Sequence, residues 1–449
     1  MFLDFMIKIF EENKKGAKEA IVWQDKTFTY RWLLDRFRYW KEEIRSKGIE
    51  TGTITVVEAD FSPNSIALML ALLENGCVFV PLTRSVRSQK DQFIEIAQGE
   101  VLFYINEQDE VTISNLPYRA DHELYEILRN KKHPGLVLFS SGSTGRSKAS
   151  VHDMTKLLDK FKVHRHTLKT ISFLLYDHIG GLNTLLYTLS NAGLLVTTNE
   201  RSPDGVLKTI EKYGVELLPT SPTFINLILL SEAYSRYDIS SLKIVTYGTE
   251  PMPEGTLKRF NKLFPNIKLL QTYGLSETGI LRSKSKSSDS LWVKVGGEGF
   301  KTRVVDGMLE IKAGSAMLGY LNAPSSFTKD GWFRTGDAVE VDGDYIKILG
   351  RKSEIINVGG QKVYPQEVES VIQEMDNIAE VTVYGEKNSI TGNIVCARIS
   401  LIKNEDRQIF SVRLRTHCLT KLQNYKIPIK INIIDGKQYT ERFKKRRHF

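Results

Sequence analysis

Cysteine is scarce. Cys77, Cys396 and Cys418 are widely spaced and make no CxxC pair, which leaves neither a disulfide framework nor a zinc site and fits a reducing cytoplasmic setting. Long hydrophobic runs are also missing, and the longest apolar stretches are too short and too polar to span a membrane. The opening segment MFLDFMIKIFEENKK carries Asp4, Glu11 and Glu12 without a small-residue cleavage site, which argues against a signal peptide. Its Phe2, Met6, Ile9 and Phe10 recur at helical spacing, so a packed amphipathic helix is expected there. Basic stripes studded with aromatics are absent. The net charge of +9 (62 basic against 53 acidic groups) owes five bases to the last eight residues, RFKKRRHF. A nucleic-acid role would rest on that tail alone, and none is expected.

What is present is a globular composition, 41% apolar and 26% charged over 449 residues, enough for two or three domains. From residue 50 to 230 short apolar runs alternate with helical patterns: TITVVEAD, NSIALMLALLENG, CVFVPL, then NAGLLVTT, DGVLKTIEKYG, VELLPTSP and SLKIVTYG. This rhythm implies parallel sheets covered by helices, with ligands at the carboxyl ends of the strands. After about residue 290 the texture changes to short strands punctuated by Gly and Asp, as in hairpins. A boundary near 350–353 divides the chain into 1–350 and a C-terminal unit of 351–449. SKSKSSDS, 283–290, reads as a mobile surface loop.

Three blocks carry chemistry. In LVLFSSGSTGRSKAS, Gly142 and Gly145 are three apart and Lys148 stands three beyond, so the spacing is not that of a Walker A loop. It leaves a flexible loop, Gly142-Ser143-Thr144-Gly145, able to wrap polyphosphate with backbone N–H and hydroxyl donors, or a plain Ser/Gly linker. In QTYGLSETG, Tyr273 offers a flat face, Thr272 and Ser276 offer hydroxyls, and Glu277 is a hard oxygen donor suited to Mg²⁺. The same stretch also reads as a turn before a capped helix. In the segment 331–369, Asp337 and Arg351 could both bond a sugar, or could form a surface ion pair on a hairpin.

Taken together and in this order, TYGLSE, GWFRTGD and the run from GR through GG to YPQEVE resemble the AMP-forming acyl-CoA synthetase family, which includes luciferase-type and carrier-loading adenylation enzymes. TFTYRWLLDRF and ENGCVFVPL add matches, so the resemblance spans nearly the whole chain. It implies an α/β fold: a large N-terminal domain of parallel and mixed sheets with helices plus a distorted β-barrel, and a small mobile α+β C-terminal domain hinged near Ser353. It also implies ATP-dependent activation of a carboxylate as an acyl-adenylate, followed by transfer to a thiol, with ATP, Mg²⁺ and coenzyme A as cofactors. Positioning and charge neutralisation on the phosphates would do most of the work.

Carried over residue by residue, Ser140 to Lys148 would be the pyrophosphate loop, with Ser141, Ser143, Thr144 and Lys148 near the β- and γ-phosphates. Gln271, Thr272 and Tyr273 would face the nucleotide, with Gly248-Thr249-Glu250 as the opposite wall of adenine. Thr272 would contact the α-phosphate, Glu277 would hold Mg²⁺, and Asp337 with Arg351 would bind the ribose. Lys444, in Thr440-Glu441-Arg442-Phe443-Lys444, would bridge the carboxylate and the α-phosphate. Phe443 replaces the family's usual Gly there, so Lys445 is the alternative. Ser147 and Ala149 stand where Pro and Gly are frequent. Rotation about the hinge would exchange Lys444 for the Gly359-Gly360 strand, whose glycines admit a pantetheine arm.

Acid specificity is expected from LLYDHIGGLNTLLY (174–187), from Thr223 to Asn226, and from Tyr247, Gly248, Gly274 and Ser276. His178 and Gly181 match the aromatic-His-x-x-Gly segment of the CoA-ligase branch. Asp177 occupies a position where an aromatic is common: it would favour an amino or hydroxyl group on the substrate, or point away and pair with a base such as Arg165. The chain is compact for the family, which leans towards a small, aryl or polar acid. The expected acceptor is coenzyme A, with a carrier-protein phosphopantetheine or an amine as the rival. A nucleotide- or acyl-binding pseudoenzyme is the non-catalytic alternative, and the oligomeric state is left as monomer or homodimer.

Overall fold

A computed structural model of the chain describes residues 2–141, 147–198, 200–297 and 299–446. The strand–helix rhythm between 50 and 230 folds into two seven-stranded sheets. In one, Ile54–Glu58 lies between Val78–Leu82 and Val101–Ile105, all parallel, and every residue of the first two strands is buried. In the other, Leu217–Thr220, Ile244–Tyr247 and Lys268–Gln271 run parallel, so their carboxyl ends finish side by side. The helix Pro63–Glu74 is buried along its whole length. Such a helix needs no polar face, and it starts cleanly because Ser62 and Ser65 form a reciprocal capping box ahead of Pro63. Gly76 then leaves it at a positive φ of 78°.

The expected N-terminal helix spans Asp4–Asn13 and buries Met6 and Phe10, while the Phe2 and Leu3 amides donate to Glu74. The barrel takes the form of an open six-stranded antiparallel sheet that includes Met308–Ala313, Phe333–Asp342 and Tyr345–Arg351. The segment 283–290 departs in part from its reading as a surface loop, 286–290 being bend and turn. Ser283–Ser285 is a strand paired with Val293–Val295, and its hydroxyls accept from the Tyr273 and Gln271 amides at 3.1 and 2.8 Å. Serine is placed there to satisfy backbone donors of the neighbouring motif.

From Ile356 onward a separate apolar core forms around Val363, Val368, Val381, Val383, Ile399, Phe410 and Leu414. The long hairpin Ile378–Asn388 with Gly392–Leu401 provides its sheet, and the helices Pro365–Ile372 and Arg407–Leu419 pack on it. No described helix is long and apolar enough to cross a membrane.

Candidate active site

Strand ends assemble the site. The backbones of Tyr247 and Thr272 meet where their strands finish: the Thr272 amide and hydroxyl both donate to the Tyr247 carbonyl, at 2.7 and 3.0 Å. Gly248 permits this approach, since a Cβ there would lie 2.7 Å from the Thr272 hydroxyl. Gln271 is buried, and the Tyr247 hydroxyl sits 3.5 Å from its side-chain carbonyl.

Beside Thr272 lies a polar triad in which Tyr273 and Asp337 are buried and Arg351 is exposed. Asp337 is only 5% exposed. One of its oxygens accepts from the Tyr273 hydroxyl at 2.5 Å, the other pairs with Arg351 Nε at 2.8 Å. Asp337 and Arg351 face each other across the ladder of their hairpin, which fixes the pair by register. Burial raises the Asp337 carboxyl against the pull of Arg351, and the Asp337 charge in turn raises Arg351. The sequence expectation of Asp337 with Arg351 as one sugar-binding unit meets a pair already closed. The Tyr273 ring is likewise buried, with its hydroxyl committed to Asp337.

Glu277 accepts from the Tyr320 hydroxyl at 2.8 Å, and Lys148 Nζ lies 5.2 Å above the Tyr320 ring. The lysine of the opening loop and the expected metal carboxylate therefore share one tyrosine, a residue the sequence reading missed. Ser140 and Lys148 are cross-strand partners in the hairpin Gly135–Ser141 with Ser147–Asp153. The expected phosphate contacts Gly142, Ser143, Thr144 and Gly145 lie outside the described residues, as does the Ser141 side chain. Ser276 is half-buried beside Glu277.

The C-terminal hairpin brings Lys444 to this cluster. Thr440 N donates to Lys444 O at 2.8 Å and Phe443 N to Thr440 O at 2.9 Å. Phe443 sits at φ 51°, the left-handed conformation that favours glycine. Its ring packs on Phe173, Phe224 and Tyr439, at centroid distances of 5.3, 5.0 and 5.5 Å. Burial, then the Arg442 charge, pulls the Lys444 ammonium down to about 8, with Glu250 and Glu277 opposing. Lys445 points elsewhere: its ammonium contacts Glu369 at 2.9 Å and the Val381 carbonyl at 3.1 Å.

Several expected residues have other partners. Glu250 is not a free wall; it accepts from the Thr223 amide at 2.9 Å and from the Lys445 amide at 3.1 Å, beside Thr249 at φ 73°. Gly181 is required by packing, since a Cβ would fall 2.0 Å from the Leu175 carbonyl. Gly274 is similarly pressed against Ile280. His178 caps the helix Ile179–Ser190, its Nδ1 accepting from the Gly180 amide at 3.0 Å. Burial, with Lys444, Arg442 and Arg201 nearby, holds it well below its usual range. The neutral ring then carries its proton on Nε2. Asp177 pairs not with Arg165 but with Arg442 at 2.7 Å, and also accepts from the Thr83 hydroxyl at 2.9 Å. Gly359 and Gly360 are exposed at φ 56° and 84°, with no atom near enough to crowd a Cβ.

A polar cluster thus gathers at parallel strand ends, with Lys444 of the C-terminal hairpin within electrostatic reach of it. A model of the AMP-binding enzyme family matches residues 10–306, and one of the AMP-binding enzyme C-terminal domain matches 367–444. The chain belongs to this family, the AMP-forming acyl-CoA synthetases whose motifs it carries, and is an acid–thiol ligase of that type. It is 24% identical to an indoleacetate–CoA ligase of Aromatoleum aromaticum over 93% of this chain and 92% of that one. Its fold matches an anthranilate CoA ligase in complex with anthranoyl-AMP, with a TM-score of 0.80, 18% identity and coverage of 96% and 93%. It also matches an amide bond synthetase of Marinactinospora thermotolerans, with a TM-score of 0.76, 20% identity and 97% of both chains covered.

Proposed function

We propose that this chain activates a small aryl or polar carboxylic acid with ATP and passes the acyl group to the thiol of coenzyme A in the cytoplasm. The observation that carries the reading is the Lys444 ammonium, held without a salt bridge among the described residues and within electrostatic reach of Glu250, Glu277 and Arg351. Such a charge suits the α-phosphate and the attacking carboxylate, both anionic. Tyr273, Asp337 and Arg351 would receive the nucleoside, Thr272 the α-phosphate, and Ser140 to Lys148 the departing pyrophosphate.

Glu277 would hold Mg²⁺ through its oxygen not engaged by Tyr320. Among the described residues no group of three His, Cys, Asp or Glu side chains could bind an ion. The carboxylate's hard oxygen chemistry therefore fits a Mg²⁺ that arrives with the triphosphate and is shared with it. The bound ion would neutralise phosphate charge.

For the second step, rotation of the 351–449 unit near Ser353 would remove Lys444 and present Gly359 and Gly360. A cavity of about 1150 Å³, lined by Asp60, Arg84, Leu175, Arg201, Thr440 and Phe443 among others, opens beside the hairpin. Amine acceptance is the second reading, favoured by the likeness to the amide bond synthetase. The test is acid-dependent pyrophosphate–ATP exchange across aryl, short-chain, hydroxy and amino acids, followed by AMP release with coenzyme A, a phosphopantetheinyl carrier or an amine. Absence of exchange with every acid would overturn the reading; AMP release with an amine and not with coenzyme A would replace its acceptor.

A further inference from the structure

Two residues strap the Lys444 hairpin to the C-terminal unit: Lys445 Nζ on Glu369 and Val381, and Gln438 on Glu380 and Ser400. Those contacts would travel with the C-terminal unit. Other contacts cross from the hairpin to the N-terminal sheets. The Ser221 hydroxyl donates to the Phe443 carbonyl at 2.8 Å, the Lys445 amide donates to Glu250 at 3.1 Å, and the Phe443 ring wedges against Phe173 and Phe224. The fourth is the Arg442–Asp177 ion pair.

That ion pair differs from the rest in energy and in reach. The Asp177 side chain is 4% exposed, and its second carboxylate oxygen has no hydrogen-bond partner among the described residues. The groups in direct contact with it are Arg442 and the Thr83 hydroxyl, with the Arg201 guanidinium within electrostatic reach. Opening the pair would remove the one ion pair this buried carboxylate makes among the described residues, the costly direction for such contacts. Arg442 sits at the hairpin tip, two residues before Lys444, and Asp177 immediately precedes His178 at the head of its helix. The same hairpin, through Thr440, Glu441 and Phe443, walls the 1150 Å³ cavity. With the pair closed, Lys444 lies within electrostatic reach of Glu250 and Glu277 and the hairpin walls the cavity.

We propose that Asp177 and Arg442 are positioning residues that dock the Lys444 hairpin for acyl-adenylate formation and must part before the thiol reaches the adenylate. The proposal rests on the ligase reading above, and the two fail separately. Asp177 is thereby committed to conformational docking rather than to recognition of a substrate amine.

Arg442→Gln is the variant of choice, because it removes the guanidinium charge while keeping a polar side chain at the hairpin tip. Acid-dependent pyrophosphate–ATP exchange should fall at least about tenfold, equivalent to about 1.4 kcal/mol, in kcat rather than in the KM for ATP. Thioester formation from supplied acyl-adenylate and coenzyme A should stay equal or become faster, because its starting conformation no longer has the pair to break. Asp177→Asn should behave alike, and the reversed pair Asp177→Arg with Arg442→Asp should regain part of the exchange activity lost in either single variant. Unchanged exchange in Arg442→Gln, or equal slowing of both half-reactions, overturns the proposal. Absence of exchange with every acid in the unmodified chain overturns the ligase reading instead, and intact exchange in Lys444→Ala overturns the role given to Lys444.

Discussion

If Lys444 supplies positive charge to the first half-reaction, its protonation must show in the pH profile. In water a lysine ammonium is charged throughout the neutral range. Here burial and the Arg442 charge bring Lys444 down to about 8. Both influences disfavour the charged form, so the active protonated state is present below about pH 8 and lost above it. The kcat/KM for ATP in pyrophosphate exchange, which reports the free enzyme, should be level towards neutrality and fall about tenfold per unit at higher pH. Lys444→Ala should lose about 10²–10³ in rate, the usual cost of one well-placed electrostatic donor, and should lose the alkaline limb. Lys445→Ala should keep that limb. Its ammonium is bound to Glu369, whose side chain is 1% exposed, so its removal should cost about 3 kcal/mol of stability instead. Survival of the limb near pH 8 in Lys444→Ala would refute the assignment of both the titration and the role.

Tyr273→Phe strips one hydrogen bond from buried Asp337; a loss of about 1–3 kcal/mol should appear in thermal unfolding, together with a raised KM for ATP. His152, fully buried beneath the Glu277 loop, is pulled down to about 4 by burial. The unfolded chain takes up that proton first as pH falls, so stability is full above about 6.5 and erodes by up to about 3 kcal/mol towards pH 4; His152→Leu should flatten this acid limb in denaturant titrations. Gly181→Ala forces a Cβ to 2.0 Å from the Leu175 carbonyl and should cost about 3 kcal/mol or more, whereas Gly255→Ala, with its nearest neighbour at 3.8 Å, should be tolerated.

Much of this was legible because it is local. The alternation of TITVVEAD, NSIALMLALLENG and CVFVPL gave strand, helix and strand at Ile54–Glu58, Pro63–Glu74 and Val78–Leu82, since periodicity and caps act over a few residues. Asp337 and Arg351 were readable as a pair for the same reason, being register partners in one hairpin. SKSKSSDS misled because serine's polarity reads as solvent exposure, whereas Ser283 and Ser285 spend their hydroxyls on the buried amides of the neighbouring motif.

Partners that meet only in the folded chain were not legible. Tyr320 reaches Glu277 across 43 positions and Arg442 reaches Asp177 across 265, and neither spacing leaves a periodic trace. For Asp177 this changes the chemistry. An acid in a presumed acyl pocket reads naturally as a ligand for a substrate amine, yet its charge is already answered by the hairpin that delivers Lys444. The glycine-to-phenylalanine departure at Phe443 follows the same logic. A side chain held at φ 51° spends conformational energy that glycine would save, and offsets it by packing on Phe173 and Phe224. Read singly, Asp177 and Phe443 are exceptions to a family pattern. They belong to two neighbouring contacts of one hairpin, where a carboxylate from the turn ahead of Ile179–Ser190 holds Arg442 and the Phe443 ring packs on Phe173 and Phe224, so replacing either should weaken acyl activation before it affects thioester formation.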